Sequence, residues 1–128
     1  MIDQRFAEHF VADWIAAWNN HDVDRVLSHY SDNFELASPL IAGVAGEPSG
    51  RLRGKGAVGA YWARALTPRS LTVAPELHFK LVNTLVGVDS LAVYYRSTRG
   101  WAAEVFEFGA DDKVVRAAAH YALRHPSA

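Results

Sequence analysis

The chain has 128 residues, half of them hydrophobic, which suits one domain with a substantial core. Its formal net charge is −1, and no stripe of lysine and arginine is present, which argues against nucleic acid as the main partner. It holds no cysteine, so neither a disulfide framework nor a thiolate metal site can form.

The first residues, Met1 to His9, are too polar for a signal peptide, and no apolar run reaches membrane-spanning length. A cytoplasmic protein without membrane contact is expected. Phe6, Phe10, Trp14 and Trp18 recur every fourth residue with Val11 and Ile15 beside them, the apolar stripe of an amphipathic helix. Asp3 is placed to cap its start, and Asn19-Asn20-His21 ends it. Asp22 is placed to cap a second short helix, Val23 to His29. Phe34 to Ala37 reads as a short strand closed by Ser38-Pro39. Gly43, Gly46, Pro48 and Gly50 predict a long irregular loop from Leu40 to Arg53, of the kind that serves as a lid.

Lys55 to Leu66 predicts a third helix, stopped by Thr67-Pro68. The remainder is strand-rich. Leu77, Phe79 and Leu81 alternate with Glu76, His78 and Lys80; Leu91, Val93 and Tyr95 alternate with Ala92, Tyr94 and Arg96. Trp101 to Phe108 and Val114 to Leu123 supply two more strands. The turns fall at Gly87-Val88-Asp89, Ser97 to Gly100 and Gly109 to Asp112. Helices first and strands later predict a single α+β domain over 1–128. A curved, mixed or antiparallel sheet wrapped around the N-terminal helix makes a cone with an interior.

Glu104 is the most informative residue. Alternation along Trp101 to Phe108 puts it on one face with Ala102, Phe106 and Phe108, and turns Glu107 to the opposite, solvated face. A carboxylate on a phenylalanine face is costly unless paired, and its pKa rises. It is either a donor to a ligand oxygen in a cavity or a structural carboxyl bonded to Trp14, Trp62 or Tyr30. No pair of the six histidines has a zinc-ligand spacing, so no metal is expected. His120 is turned outward by alternation. Arg51, Arg53 and Lys55 read as a solvated basic loop, with Glu47 as a balancing charge; Gly50 to Gly56 lacks the spacing of a P-loop.

The chain resembles the SnoaL-like, or nuclear-transport-factor-like, superfamily. The likeness rests on Trp14-Ile-Ala-Ala-Trp-Asn-Asn-His-Asp22, Tyr30-Ser-Asp-Asn-Phe34, Ser38-Pro39, Arg53-Gly-Lys-Gly-Ala-Val58 with Tyr61-Trp62, and Glu104-Val-Phe-Glu-Phe108 followed by Asp112-Lys-Val-Val115. With Ala119-His120-Tyr121, it looks most like a bacterial branch that has no assigned activity. The resemblance implies a cystatin-like α+β barrel and a homodimer. It carries no single reaction, because the fold hosts many.

Among the ketosteroid isomerases of this superfamily, Glu104 matches the neutral acid, and Trp14 matches the tyrosine of the oxyanion hole. Tyr30 and Trp62 match two further tyrosines of that network, and Tyr121 matches a ring lining the steroid pocket. Ser38 stands where those enzymes carry their aspartate base. A serine cannot take a proton from carbon near neutral pH without a base of its own, so ketosteroid isomerase activity is excluded.

Glu104, Ser38 and Tyr30 are therefore the candidate catalytic groups. Trp14, Trp18, Phe34, Trp62, Tyr95, Phe106, Ala117, Ala119 and Tyr121 are the candidate ligand-binding residues; the alanines leave space beside Tyr121. The expected ligand is a small apolar molecule, held without a cofactor. Three functions follow. One is an isomerase, cyclase or hydratase with Glu104 as acid; the others are a ligand-binding protein without catalysis and an interaction module that uses the outer sheet face.

Overall fold

The computed structural model of the protein describes residues 1–66 and 77–123. Helix α1, Gln4–Asn19, starts where Asp3 accepts a hydrogen bond from the Phe6 N–H at 2.7 Å. Its apolar stripe is the centre of the core: Phe10, Val11, Trp14, Ala17 and Trp18 are all buried. The helix is tied at its far end by Asn19, whose side chain pairs with the backbone of Phe79 in both directions, at 2.7 and 2.9 Å. Helix α2, Val23–Leu27, begins at Asp22, which accepts from the Arg25 N–H.

Six strands follow in the chain order β1 (Tyr30–Ala37), β2 (Arg51–Arg53), β3 (Phe79–Val86), β4 (Ser90–Ser97), β5 (Gly100–Phe108) and β6 (Val114–Tyr121). They form one sheet ordered β2-β1-β6-β5-β4-β3. Neighbours are antiparallel except β1 and β6, which are parallel, so the sheet is mixed. Register slips between Tyr30 and Glu35, between Leu81 and Asn83, and between Glu107 and Phe108. Such bulges bend strands, and here they curl the sheet around α1. Phe10 and Trp14 meet Phe106 edge-on at about 5 Å between ring centres, which seats the helix in the concave face.

Two further helices close the open side, α3 (Ile41–Ala45) and α4 (Lys55–Leu66). The irregular loop expected from Leu40 to Arg53 is therefore replaced by a short helix and an edge strand. Ile41 is fully buried, and the Ser38 N–H donates to the Gly50 carbonyl at 2.9 Å, so this segment is fastened down and is not a free lid. Its glycines do turn work: Gly46 ends α3 at φ +74° and Gly50 holds φ +71°.

Other boundaries also move. Strand β1 begins at Tyr30, four residues before the expected start, because its bulge hides the period of two. The third strand begins at Phe79 and not at Leu77, and on this edge strand Leu81 is 42% exposed where alternation put it in the core. The last strand ends at Tyr121. The stop at Thr67-Pro68 and the residue Glu76 lie outside the described residues. Arg51 and Arg53 both pair with Glu35 across the β1–β2 ladder, at 3.1 and 3.0 Å, and Lys55 pairs with Asp32 at 3.8 Å. Glu47 instead accepts from the Ser49 N–H, so it is not the balancing charge. No helix among the described residues is long and apolar enough to cross a membrane.

Candidate functional site

A cavity of about 280 Å³ lies between the concave sheet, the C-terminal half of α1, and helices α3 and α4. Each element sends in side chains by its own period. Helix α1 gives Trp14 and Trp18, four residues apart; α4 gives Tyr61, Trp62 and Ala65 from the face that also buries Val58. The loop after β1 gives Ser38, and α3 gives Val44. The strands give Phe79, Tyr95, Ser97, Glu104, Ala119 and Tyr121. Arg99, in the turn between β4 and β5, completes the mouth.

Glu104 is 6% exposed and pairs across the sheet with Val93 on one side and Ala119 on the other. No hydrogen-bond partner for its carboxyl occurs among the described residues. Burial alone therefore acts on it, and pushes its pKa up to about 8. The small side chain of Ala119 beside it keeps the cavity open. Four phenols feel its charge: Tyr30, Tyr61, Tyr95 and Tyr121. All are raised, first by burial and then by the nearby Glu104 charge, with Arg99 and Ser38 opposing the rise at Tyr61 and Tyr121. Tyr121 is 38% exposed and still raised by burial, so its hydroxyl end is the part turned inward.

At neutral pH the site thus holds a protonated carboxyl and protonated phenols in an apolar shell. A protonated carboxyl donates one hydrogen bond, and low dielectric strengthens it. Among the described residues, no second carboxylate and no histidine lines the cavity. Among the described residues, no cluster of three or more histidine or acidic side chains could hold a metal ion.

The candidate residues do not all meet here. Glu104, Ser38, Trp14, Trp18, Trp62, Tyr95, Ala119 and Tyr121 line the cavity. Tyr30, Phe34, Phe106 and Ala117 do not; they are buried in the packed core. Tyr30 lies behind Trp14, whose indole N–H donates to the Tyr30 hydroxyl at 3.0 Å. That bond uses the one donor of Trp14, so Trp14 cannot take the part of the oxyanion-hole tyrosine. The Trp18 Nε1 is sealed from solvent without a partner among the described residues, and its ring meets Trp62 edge-on at 5.1 Å.

Ser38 is 5% exposed and has two attachments. Its Oγ accepts from the Leu40 N–H at 3.2 Å, and its hydroxyl lies within hydrogen-bonding reach of Tyr61 and Tyr121. His120 points outward and is exposed, with Nδ1 against the Ala118 carbonyl. Glu107 is also on the outer face, 3.5 Å from Arg116.

Sequence reasoning passed over Tyr61, Ser97 and Arg99. Their signals were present. Tyr61 is three residues from Val58 on one helix face, and alternation carried past Tyr95 brings in Ser97 and then Arg99.

No curated protein matches the chain. A solved SnoaL-like protein of unknown function from Burkholderia thailandensis is 57% identical; the match covers 94% of this chain and 98% of that one, with a TM-score of 0.85. A putative ketosteroid isomerase from Kribbella flavida is 13% identical over 95% of this chain and 83% of that one, at a TM-score of 0.67. The epoxide hydrolase/cyclase-like enzyme SalBIII, from pyran ring formation in the polyether salinomycin, is 16% identical over 96% and 95%, at 0.69. At these last identities only the fold is shared. Residues 11–124 match the model of the SnoaL-like domain family. The chain belongs to the SnoaL-like family, with the mixed α+β fold of the nuclear-transport-factor-like proteins.

Proposed function

We propose that the cavity is a binding site for a small, mostly apolar, one- or two-ring molecule, and that Glu104 serves there as a neutral acid. The observation that carries this is a protonatable carboxyl, buried without a partner among the described residues, on the wall of an open cavity. Such a group costs stability, and a function explains its retention better than packing does. The cavity volume of about 280 Å³ sits at the small end of ligand pockets and equals the liquid volume of roughly nine waters.

The chemistry this supports is proton donation to a ligand oxygen. Ring closure and opening of a strained ring both begin that way, with water or the ligand's own hydroxyl as the nucleophile, and the proton that nucleophile sheds restores the acid through solvent. The group needed is an acid, and no cofactor takes part. The SalBIII relationship is one of fold, and it fits this class of reaction without assigning it. A second reading, binding without catalysis, draws on the lack of a partner base in the described lining.

The two readings part at Glu104→Gln. In an enzyme the variant binds the ligand and loses turnover. In a binding protein the ligand still raises the melting temperature of the variant and no product ever forms. If wild type and Glu104→Gln turn over a ligand equally, the neutral-acid role is wrong.

A homodimer is proposed through the outer sheet face. There Leu85 is 60% exposed and Tyr94 is 41% exposed, and Tyr94 stacks on Trp101. Sedimentation at micromolar concentration tests it; a monomer there refutes it.

A further inference from the structure

The polar groups of the cavity fall into two separate ends. Glu104 forms one. The other is at the mouth, where Arg99 reaches from the β4–β5 turn to the Ala65 carbonyl, one helical turn from Tyr61 on α4, and shares the lining with Ser38, Tyr61 and Tyr121. Glu104 lies four residues along β5 from Gly100, the residue after Arg99, a backbone span of about 13 Å at the usual rise per residue. The guanidinium and the carboxyl therefore stand apart, with apolar wall from Trp18, Trp62 and Phe79 available for the body of a ligand.

Arg99 is also uncommitted. Among the described residues it has no carboxylate partner, and the one hydrogen bond of its guanidinium there is a long one, Nη2 to the Ala65 carbonyl at 3.5 Å. By contrast Arg25, Arg51, Arg53 and Arg116 are all paired with carboxylates. Arg99 is the one cation in the described lining, so with Glu104 protonated that lining carries a net positive charge. A planar guanidinium beside two phenols and a serine hydroxyl presents a fork of donors suited to a carboxylate.

We infer that the mouth of the cavity is an anion-recognition end, and that the ligand is an apolar acid: a ring or short chain with a carboxylate held by Arg99, Tyr61, Tyr121 and Ser38, and an oxygen at its far end facing Glu104. This rests on the cavity being a small-molecule site, and it adds the substrate class. Arg99 is exposed, so an uncharged ligand of the same shape covers the guanidinium without answering its charge, and binds less well.

The test is a set of matched acid and amide pairs: benzoate with benzamide, 2-naphthoate with 2-naphthamide, and 4-acetylbenzoate with 4-acetylbenzamide. Binding is followed by ligand-observed NMR at pH 6.5 on wild type, Arg99→Gln and Glu104→Gln. On wild type, the acid of at least one pair binds about tenfold or more tighter than its amide, as one charge-assisted contact warrants. Arg99→Gln removes that preference and retains amide binding; Glu104→Gln retains the preference. Equal binding of acid and amide in every pair, or a preference that survives Arg99→Gln, overturns the anion end and leaves the pocket standing. Binding of no member at millimolar concentration overturns both.

Discussion

Glu104→Gln isolates the cost of the buried acid. Burial moves this carboxyl from 4.5 to about 8. A carboxyl raised in the folded state keeps its proton there after the unfolded chain has lost it, so folding stability falls as pH rises across that interval. The full fall is on the order of 5 kcal/mol, from about 1.4 kcal/mol for each pH unit of the interval, and water drawn into the cavity upon ionisation reduces it. Glutamine keeps the shape of the protonated acid and never ionises. Wild type and variant should therefore have stabilities within about 1 kcal/mol of each other at pH 5.

By pH 9 the variant should be the more stable by several kcal/mol. Other titrating groups act on both proteins alike and cancel in the difference. Urea unfolding followed by tryptophan fluorescence, at steps from pH 5 to 9, measures it. A difference that stays constant across that range would show that Glu104 is ionised throughout, and the neutral acid would be lost with it.

Three other outcomes follow from the packing. Trp14→Phe leaves the Tyr30 hydroxyl buried with no donor and should cost about 1–3 kcal/mol beyond its lost volume; adding Tyr30→Phe should recover part of that in a double-mutant cycle. Ala119→Leu grows into the cavity and should be tolerated while abolishing ligand binding. Ala117→Leu, two residues away in packed core, should destabilise by about 1–3 kcal/mol, as urea midpoints will show. Asp13 sits between Arg25 and His29 on the outside of α1, and the Arg25 bond holds its carboxyl below the usual range. It is a third exposed, so Asp13→Asn should cost less than about 1 kcal/mol, a loss that fades in high salt and as pH falls through the carboxylate range.

Periodic segments were legible in the sequence and interrupted ones were not. The stripe Phe6-Phe10-Trp14-Trp18 and the alternation through Glu104 are uninterrupted, so helix α1, strand β5 and the burial of Glu104 followed directly. The slip after Tyr30 breaks the period of two, and with it the start of β1. The glycines at 43 and 46 masked α3, whose position is held by burial of Ile41 and not by local propensity.

Side-chain bonding was harder to foresee than position. Trp14 stands at the right place on its helix, but only the approach of Tyr30 from another strand shows that its N–H is already used. Likewise, periodicity could put Phe106 and Ala117 on the inner face without telling which part of that face is filled. Phe106 packs against Phe10 and Trp14, whereas Ala119, one step along the same strand face as Ala117, opens onto space.

Glu104 as a neutral acid is the claim on which the rest depends, and its titration is the most direct measurement of it. Carbon-13 labelling of glutamate side chains, with the Glu104 resonance assigned by its absence in Glu104→Gln, gives the carboxyl pKa in the free protein. A midpoint near 8 is the result that burial without a partner requires. A midpoint at the ordinary value of about 4.5 contradicts the account, because a carboxylate already ionised at neutral pH donates no proton to a ligand.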